Sequence, residues 1–275
     1  MPELPEVEVV RRQLQSRIVG ATIKNIWIGR KDIVRQGLAR LSWYRNAGIT
    51  EILRFGKSLA MHCHRNGESR FLIAELGMTG LLLCDPRFLP SEKHRHMVMY
   101  LANSIPAEVH YWNARRFGRL SLLTHRELQD YCRRRFGIDP LNVSEDKFVS
   151  LIKGGRGRIK SLLLHQQKIA GIGNIYANEM LFRSGIHPYA RGNRLSAQRI
   201  RKLYHCMLHL LGEAIEKGGS SIRDFQAPDG RAGTFQHRHQ VYHKTGQNCV
   251  NGCGTMIRLL RGNRSSFYCP RCQKR

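Results

Sequence analysis

The four cysteines near the end of the chain constrain its folding more than any other feature. Cys249 and Cys253 have three residues between them, Cys269 and Cys272 have two, and fifteen residues separate the pairs. Two close cysteine pairs can converge on one ion, and this spacing is typical of a tetrahedral four-cysteine zinc site. Because four thiolates leave no open coordination position, we expect one structural Zn²⁺. It would staple residues 246–275 into a hairpin too small for a core of its own.

The net charge indicates an anionic partner. The chain has 46 Lys and Arg against 20 Asp and Glu, a formal net charge of +26, and residues 246–275 include six Lys or Arg and no acidic residue. Such a chain repels itself unless an anion compensates, and nucleic acid is the commonest compensating partner. A membrane surface is disfavoured because no apolar run approaches about 18 residues. The alternative for the cysteine module is a ribbon that contacts only protein.

The first residues show no secretory signal. The segment Met1–Glu6 is acidic and proline-rich, whereas a signal peptide has a basic stretch followed by an apolar one. We therefore expect a cytoplasmic protein, associated with the nucleoid through nucleic-acid binding. In that reducing compartment the four scattered cysteines are predicted to be buried, inert thiols. They are Cys63, Cys84, Cys132 and Cys206.

Hydrophobic periodicity predicts a helix and then a β-rich region. Apolar residues at Val7, Val10, Leu14 and Ile18 predict a helix over residues 3–19, ended by Gly20. Residues 22–124 carry short β-type runs punctuated by Gly, Asn and Pro, which favours an antiparallel β-sandwich. The predicted runs are Thr22–Ile28, Phe71–Cys84, His96–Leu101, Glu108–Trp112 and Arg119–Leu123.

The second half of the chain has a helical pattern. The predicted helices are Lys147–Ile152, Ile159–Gln166, Ile175–Phe182 and Ala197–Glu216. Asn174 is predicted to be the N-cap of the third helix and Gly185 its C′ residue. The polar, glycine-containing segment 218–240 is longer than an ordinary connection, which is typical of a functional loop.

These patterns together predict an α+β chain. The expected division is an N-terminal helix and β-sandwich in residues 1–132, a linker in 133–145, a helical domain in 146–245 and the cysteine module in 246–275.

The second residue could be a nucleophile. A small residue after Met1 permits removal of the methionine, which would leave Pro2 with a free secondary amine. Such an amine can attack the C1′ carbon of a sugar and form a covalent adduct. The proline adduct is an iminium without an N–H, so it stays cationic and acts as an electron sink for β-elimination. A Met-Pro start alone is weak evidence, since many ordinary proteins have one.

Five segments resemble, in order, the signatures of the formamidopyrimidine-DNA glycosylase and endonuclease VIII family. They are Pro2–Glu8, Glu75–Gly80, Arg115–Gly118, Gly171–Glu179 and the cysteine module with Arg264 and Phe267–Cys269. The resemblance spans essentially the whole chain. It implies a bifunctional DNA glycosylase/AP lyase of base-excision repair, with a helix-two-turn-helix in the helical domain. The expected partner is damaged double-stranded DNA, and the expected state is a monomer without membrane contact.

The resemblance implies the catalytic residues as well. Pro2 would be the Schiff-base nucleophile and Glu3 the acid that protonates the opened sugar oxygen. Lys57 would bind phosphate and assist β-elimination. Arg264, in the cysteine module, would grip phosphate and assist δ-elimination.

Further positions correspond to DNA contacts in the family. Asn174 would lie where helix N-terminal amides face a phosphate. Met78, Arg115 and Phe117 would fill the gap left by a flipped nucleotide, which recovers part of the lost stacking energy. Two more residues fall near positions where relatives contact DNA; they are His94 and Arg156.

Ordinary structural roles compete with these assignments. Glu3 and Glu6 could simply favour the start of a helix, Met78 and Phe117 could be core residues, and Lys57 could be a solvated surface lysine.

The segment Gly171–Gly173 also resembles the hairpin of helix-hairpin-helix glycosylases. Those enzymes need a catalytic Asp or Lys shortly after the hairpin, and here only Asn174, Asn178 and Glu179 follow.

The chain departs from the family pattern at four places. Glu75 stands where relatives usually have a phosphate-binding His, and Asn113-Ala114 replaces Asp-Pro. The first cysteine pair is spaced by three residues instead of two, and Val241–Lys244 departs from Val-Tyr-Gly-Arg. None of these changes removes a catalytic group, but they bear on phosphate contacts and turnover.

The long loop bears on the substrate. Residues 218–225 and 229–235 resemble the lesion-capping loop of the formamidopyrimidine branch, whose amides can bind the carbonyl of an oxidised purine. The expected substrates are therefore 8-oxoguanine and ring-opened purines. The alternatives are an endonuclease VIII-type enzyme for oxidised pyrimidines and a non-catalytic binder of damaged DNA.

Overall fold

The computed structural model describes every residue, Met1–Arg275, and the chain forms two compact units. Unit 1 contains residues 1–134 and 217–236, and unit 2 contains residues 135–216 and 237–275. This division differs from the sequence-based one because the loop 217–236 packs with the N-terminal part. The cysteine module groups with the helices.

The secondary structure confirms an α+β chain. The helices are α1 (Leu4–Ile18), α2 (His125–Arg135), α3 (Glu145–Lys153), α4 (Ile159–Leu164), α5 (Asn174–Arg183) and α6 (Ala197–Glu216). The strands are β1 (Thr22–Ile28), β2 (Val34–Gln36), β3 (Gly48–Phe55), β4 (Ser58–Arg65), β5 (Glu68–Glu75), β6 (Gly80–Leu83), β7 (Arg95–Ala102), β8 (Glu108–Asn113), β9 (Leu120–Thr124), β10 (Arg258–Leu260) and β11 (Ser266–Tyr268).

Unit 1 is built on one hydrogen-bonded sheet with the strand order β2-β9-β5-β4-β3-β1-β7-β8-β6. The pairing of β1 with β3 has only one register pair, Thr22 with Gly48, so this link joins two halves of the sheet. Inward-facing residues of both halves, such as Ile52 and Met99, share one hydrophobic core, as expected for a sandwich. The edge pair β2–β9 is parallel, whereas the sequence predicted antiparallel pairing throughout.

Helix α1 follows the predicted stripe, since Val7, Val10, Leu14 and Ile18 all enter this core. Helix α2 was not predicted. It packs Leu128 against a second apolar face of the sheet, so the residues there are buried on both sides of the strands.

Two sequence predictions in this unit are wrong. The run Phe71–Cys84 is two strands, β5 and β6, because residues 76–79 form a turn and Gly77 adopts φ +62°. The linker predicted from residue 133 begins later, because α2 continues to Arg135.

Unit 2 contains helices α3 to α6 and the hairpin β10–β11. Helix α6 has the predicted bounds, and α3 and α5 pack against it. Helix α5 begins one residue earlier than predicted: Gly173 is the N-cap, and Asn174 is the first helical residue. The prediction for Gly185 is confirmed, because it adopts φ +71° just after the last turn. No helix of either unit is long and apolar enough to cross a membrane.

Candidate active site and nucleic-acid interface

Pro2 and Glu3 lie at the amino end of α1. Both residues are buried, and the Glu3 side chain is only 2% exposed. Glu3 has an extended backbone and is the N-cap of the helix. Helix α1 contacts β3 at two points. Gln15 Oε1 accepts a hydrogen bond from the amide of Ile52 (2.8 Å), and Glu8 accepts one from Arg54 (2.9 Å). Because the contacts advance along β3 toward its end, the amino end of α1 is directed toward the β3–β4 turn.

The Glu6 carboxylate joins the start of α1 to the long loop. Its Oε2 accepts a hydrogen bond from the amide of Glu3 and its Oε1 one from the amide of Ser220, each at 2.7 Å. Glu6 is 1% exposed, so both bonds are shielded from water. The structural role weighed for Glu6 is therefore real, and it extends beyond the helix to the loop.

Lys57 is half-buried and lies in the β3–β4 turn. The turn is held from α1, because Arg54 donates one bond to Glu8 (2.9 Å) and another to the carbonyl of Gly56 (3.3 Å). Burial alone would raise the pKa of Glu8, but hydrogen bonds from Arg11, Arg54 and Arg12 outweigh it and lower the pKa to about 2. Glu8 therefore stays ionised. Through Arg54 it holds Gly56, the residue before Lys57.

Glu75 lies opposite Ser58 in the β4–β5 ladder, and Ser58 directly follows Lys57 in sequence. Its Oε1 accepts hydrogen bonds from Arg35 (3.1 Å) and from the Tyr131 hydroxyl (3.0 Å). A half-exposed arginine therefore accompanies the acidic residue at this departure from the family pattern. Arg35 brings a cation to the position, which compensates the negative charge of Glu75.

Met78 and Phe117 project from two adjoining turns and are exposed, by 38% and 57%. The core role that competed for them is therefore wrong. Arg115 lies over the Phe117 ring, with its guanidinium carbon 4.9 Å from the ring centroid. The turns can adjoin because two glycines face each other: a Cβ on Gly77 would come within 2.4 Å of the amide nitrogen of Gly118.

Asn113 connects these two turns from beneath. Its Oδ1 accepts hydrogen bonds from the Thr79 hydroxyl (3.1 Å) and the Arg116 amide (2.9 Å), while its Nδ2 donates to Tyr111 (2.9 Å). The side chain is fully buried. At this departure from the family pattern, the buried amide of Asn113 joins the two turns, because it both donates and accepts hydrogen bonds.

His94 lies just before β7 and is half-buried. Its ring packs edge-on against Trp112 of β8, with ring centroids 5.7 Å apart. The next residue but one, His96, bonds through Nε2 to the carbonyl of Asn113 (3.0 Å). His94 is therefore placed at the end of the sheet that carries the Arg115–Phe117 turn.

The loop 217–236 is closed at its base and exposed at its tip. The Thr234 amide donates to the Lys217 carbonyl and the Phe235 amide to the Gly219 carbonyl. Inside the loop, Ser221 is bonded to Phe225 and Gly233. Residues 222–224 are exposed, whereas Phe225 enters the main core. The loop thus presents a short tip on a fixed base.

In unit 2 the four cysteines converge as the sequence predicted. The sulfur atoms of Cys249, Cys253, Cys269 and Cys272 all lie within 4.8 Å of one another. The Cys249–Cys272 and Cys253–Cys269 sulfur distances are 3.8 and 3.4 Å. Tetrahedral Zn–S bonds of about 2.3 Å require sulfur atoms about 3.8 Å apart, so the cluster fits a zinc ion. Gly252, one of the three residues between Cys249 and Cys253, adopts a positive φ of 65°.

Arg264 lies at the exposed tip of the β10–β11 hairpin. Lys160 of α4, which is 4% exposed, donates to the Ser265 carbonyl (2.6 Å) and the Ser266 hydroxyl (2.9 Å). A cleft of about 550 Å³ opens beside the tip, and residues of Arg261–Arg264 line it together with Tyr189. The hairpin tip is therefore supported by a buried cation and faces a cationic cleft.

Asn178 and Glu179 of α5 hold this unit together, a role that sequence reasoning missed. Asn178 donates to the Asn174 carbonyl (2.6 Å) and accepts from the Phe267 amide of β11 (2.9 Å). Glu179 is fully buried and accepts from the amides of residues 240–242. Burial raises the pKa of Glu179 despite these donors. The first turn of α5 is thereby tied to the hairpin.

Two other positions complete the comparison with the sequence. Arg156 is exposed, in the segment between α3 and α4. His243 stands where the family pattern has glycine and adopts a left-handed φ of +59°, with its ring 4.4 Å from that of Tyr242.

The structure brings some of the predicted residues together. In unit 1, Pro2 and Glu3 lie at the amino end of α1, Lys57 lies in the β3–β4 turn, and the exposed Met78 and Phe117 lie in the segments after β5 and β8. Unit 2 collects Asn174, the hairpin of Arg264 and the cysteine cluster. Three supporting contacts were missed: those of Glu6 with Ser220, of Lys160 with the hairpin tip and of Asn178 with Phe267. The one sequence signal for such contacts is a charged or polar residue within an otherwise apolar helical pattern.

Comparison with known proteins places the whole chain in one family. Residues 1–120 match the formamidopyrimidine-DNA glycosylase N-terminal domain, and residues 136–226 match the formamidopyrimidine-DNA glycosylase H2TH domain. Proteins named formamidopyrimidine-DNA glycosylase are similar over their full length and that of this chain. The one from Solibacter usitatus is 42% identical and the one from Heliobacterium modesticaldum 36%.

Solved structures agree with these sequence relatives. The Lactococcus lactis Fpg in complex with DNA containing an abasic site is 34% identical, with a TM-score of 0.86 over 99% of this chain and 100% of that one. The MutM protein in complex with DNA containing carbocyclic 8-oxo-G is 33% identical, with a TM-score of 0.86 over 100% of both chains. The chain described here therefore belongs to the formamidopyrimidine-DNA glycosylase family.

Proposed function

We propose that the protein excises oxidised purines from double-stranded DNA through a Schiff base on Pro2 and then cleaves the strand by β,δ-elimination. Membership of the family makes it a DNA glycosylase/AP lyase of base-excision repair. The observation that carries the chemical proposal is the buried Pro2–Glu3 pair at the amino end of α1, directed toward the turn of Lys57.

The first step follows from the environment of Pro2. Removal of Met1 would free the ring nitrogen, whose lone pair attacks C1′ as the base leaves and the nitrogen loses its proton. Glu3, buried beside it, would protonate the sugar oxygen as the ring opens and the iminium forms. The iminium carries no N–H, so it keeps its positive charge and accepts electrons during elimination.

The lyase steps need cations beside the two phosphates. Lys57, fixed by the Glu8–Arg54–Gly56 chain, would bind phosphate and assist departure of the 3′ phosphate. Arg264, on the supported hairpin tip, would bind phosphate and assist δ-elimination. Charge-assisted hydrogen bonds of this kind are about twice as strong as neutral ones.

The cysteine cluster would hold one zinc ion as a structural element. Cys249, Cys253, Cys269 and Cys272 supply four thiolates, and the ion would cross-link two turns of the module. This cross-link, with the Lys160 and Asn178 bonds, orders the hairpin that presents Arg264.

The DNA contacts are assigned to exposed or half-exposed residues. Met78, Arg115 and Phe117 would occupy the space left by the flipped nucleotide, because they project from rigid turns. Asn174 at the start of α5 would receive a phosphate with the helix dipole behind it, and two further contacts would come from His94 and Arg156.

The loop 217–236 supports oxidised purines over pyrimidines. Its fixed base and exposed tip, residues 222–224, could place backbone amides against the carbonyl of an oxidised purine. One relative was solved with DNA containing carbocyclic 8-oxo-G and another with DNA containing N7-benzyl-Fapy-dG. We further propose that the protein works as a monomer in the cytoplasm, on the nucleoid.

Borohydride trapping tests this function. The protein is incubated with duplexes that contain 8-oxoguanine, dihydrothymine or no lesion, and the imine is reduced. We expect a covalent adduct with 8-oxoguanine DNA that is lost when Pro2 is acetylated and sharply reduced in Pro2→Gly, whose primary amine still forms an imine. An adduct chiefly with dihydrothymine would identify an endonuclease VIII-type enzyme, and binding without any adduct a non-catalytic binder.

A further inference from the structure

A second, smaller cleft lies in unit 2 on the other side of Tyr189. It has a volume of about 170 Å³, and its lining includes Arg191, Arg194 and Arg275. Tyr189 also lines the cleft of the hairpin tip, so the two clefts share this residue as a wall. A volume of this size is enough for a phosphate group.

The arginines around Tyr189 have no acidic partners. Arg158, Arg191, Arg194 and Arg275 form no ion pair with a carboxylate, and neither cleft has an Asp or Glu in its lining. Elsewhere in the same unit, the exposed Arg201 is paired with Glu145 (3.1 Å). Cations concentrated without acidic side chains among them repel one another, which costs folding free energy unless an anion binds there.

The backbone beneath these side chains is fixed. Arg158 and Arg191 form an antiparallel bridge, and the Gly192 amide donates to the Gly157 carbonyl (3.2 Å). A Cβ on Gly192 would lie within 2.8 Å of the Ile152 carbonyl oxygen, so only glycine permits this close approach. A fixed backbone lowers the entropy lost when an arginine side chain orders around an anion.

Tyr189 is held in the same way. The guanidinium carbon of Arg158 lies 4.0 Å from the centroid of the Tyr189 ring, and the Tyr189 amide donates a hydrogen bond to His187 Nδ1 (3.1 Å). The wall between the two clefts is therefore a stacked Arg–Tyr pair, a stable surface that carries positive charge.

We propose that the Arg191–Arg194 cleft binds a backbone phosphate of the DNA that flanks the lesion, beyond the phosphate assigned to Arg264. The inference rests on the proposed function, since it takes the hairpin cleft as one phosphate position. DNA fits because its phosphates recur at short, regular intervals, so a duplex held at one cleft presents further anions to a neighbouring one.

Salt-dependent binding tests the proposal. The variant R191Q/R194Q is compared with wild type and with K147Q/K202Q, a control that removes two exposed lysines from α3 and α6. Binding to a lesion duplex is measured over a range of salt, and the duplex is then shortened stepwise from each end. Loss of one phosphate contact should reduce the slope of log K against log salt by about 0.9. It should also weaken binding roughly tenfold at low salt.

The length series locates the contact. Wild type and the control should lose affinity at a particular step of trimming on one arm, and R191Q/R194Q should not respond to that step. R191K/R194K, which keeps both charges, should retain most of the slope. Zinc content and thermal unfolding of each variant establish that the module is intact.

Two results would overturn the proposal: equal slopes for R191Q/R194Q and the lysine control, or equal sensitivity of all variants to trimming. Failure of the proposed function has a different signature, because wild type itself would then give no borohydride adduct with lesion DNA.

Discussion

Glu6 and Ser220 are 214 residues apart in sequence, and the carboxylate of Glu6 accepts a 2.7 Å hydrogen bond from the amide of Ser220. The other oxygen of the same carboxylate accepts from the amide of Glu3, the residue after the proposed nucleophile. A single buried group thus fixes both the start of α1 and the base of the long loop. The position of the loop and that of Pro2 are coupled through it.

Glu6→Gln should impair base excision and AP-site cleavage together. Glutamine keeps one carbonyl acceptor, so one of the two amides loses its bond inside a buried site, at a cost of about 1–3 kcal/mol. Single-turnover rates on 8-oxoguanine DNA and on a preformed abasic duplex measure the two activities. Equal rates for variant and wild type on both substrates would remove Glu6 from the positioning scheme.

Gly219→Ala should disturb the loop and the start of α1 together, because the same Glu6 carboxylate holds both. Gly219 has φ +78°, and an added Cβ would lie 2.8 Å from Glu6 Oε1, so the loop must shift. We expect slower excision of 8-oxoguanine and slower abasic-site cleavage, because the displaced Glu6 carboxylate also holds the amide of Glu3. Gly212→Ala is the matched control, because a Cβ there meets nothing within 4 Å. Unchanged abasic-site cleavage in Gly219→Ala would contradict the coupling of the loop to Pro2 through Glu6.

Asn113→Ala should destabilise the protein, whereas Phe117→Ala should not. Asn113 is fully buried, and its truncation removes its hydrogen bonds with the Tyr111 hydroxyl, the Thr79 hydroxyl and the Arg116 amide, at a cost of about 2 kcal/mol. Phe117 is 57% exposed, so its truncation should weaken lesion binding with little effect on stability. Denaturant unfolding and lesion binding separate the effects; equal stability of both variants would contradict the anchoring role of Asn113.

Stability should fall in acid as Glu8 is protonated. Its pKa is lowered from 4.5 to about 2 by the arginines that outweigh its burial. A lowered carboxyl pKa contributes stability that is complete above pH 4.5 and is lost as the pH falls toward 2, up to about 3 kcal/mol. Glu8→Gln should be less stable than wild type at pH 7 and should lose this part of the pH dependence. The range from about pH 5 to about pH 2 spans the pKa shift of Glu8. Parallel stability curves for the two proteins over this range would refute the assignment.

Arg264→Ala, Lys57→Ala and Arg261→Ala should behave differently. Arg264→Ala should weaken lesion binding, flatten the salt dependence by about 0.9 per lost contact and let β-elimination products accumulate over δ products. Lys57→Ala should slow the lyase steps with another product balance. Arg261, also exposed on the hairpin, is the control for a diffuse basic surface. If Arg261→Ala and Arg264→Ala give the same salt slope and 3′ end groups, the assignment of Arg264 is wrong.

Cys269→Ser should release zinc and loosen the terminal module. Zinc binding contributes about 10–16 kcal/mol of apparent free energy to modules of this kind, so its loss should unfold the hairpin and weaken DNA binding. Cys206→Ser, which changes a half-buried thiol of α6 outside the cluster, should keep both. Metal analysis, chelator titration and DNA binding report the outcome. Purified wild type without zinc would refute the metal assignment.

The elements with strong periodicity were predicted well. Helix α6 and strand β1 have their predicted bounds, and α1 differs by one residue at each end. Strands β3 and β4 were missed, because β3 alternates irregularly and His62 and His64 interrupt the apolar pattern of β4. Helix α2 was missed because its apolar surface is small, chiefly Leu128, and only contact with the sheet stabilises it.

The sequence by itself determined the family, the four-cysteine cluster and the candidate catalytic residues, because short motifs fix residue type and spacing and these need no knowledge of distant contacts. Only the tertiary structure decided which groups support them. Glu6 reaches Ser220, Lys160 reaches the hairpin tip, and Asn178 joins α5 to β11. A buried polar group must find a partner, but nothing in the local sequence says which distant amide or carbonyl folding will bring to it.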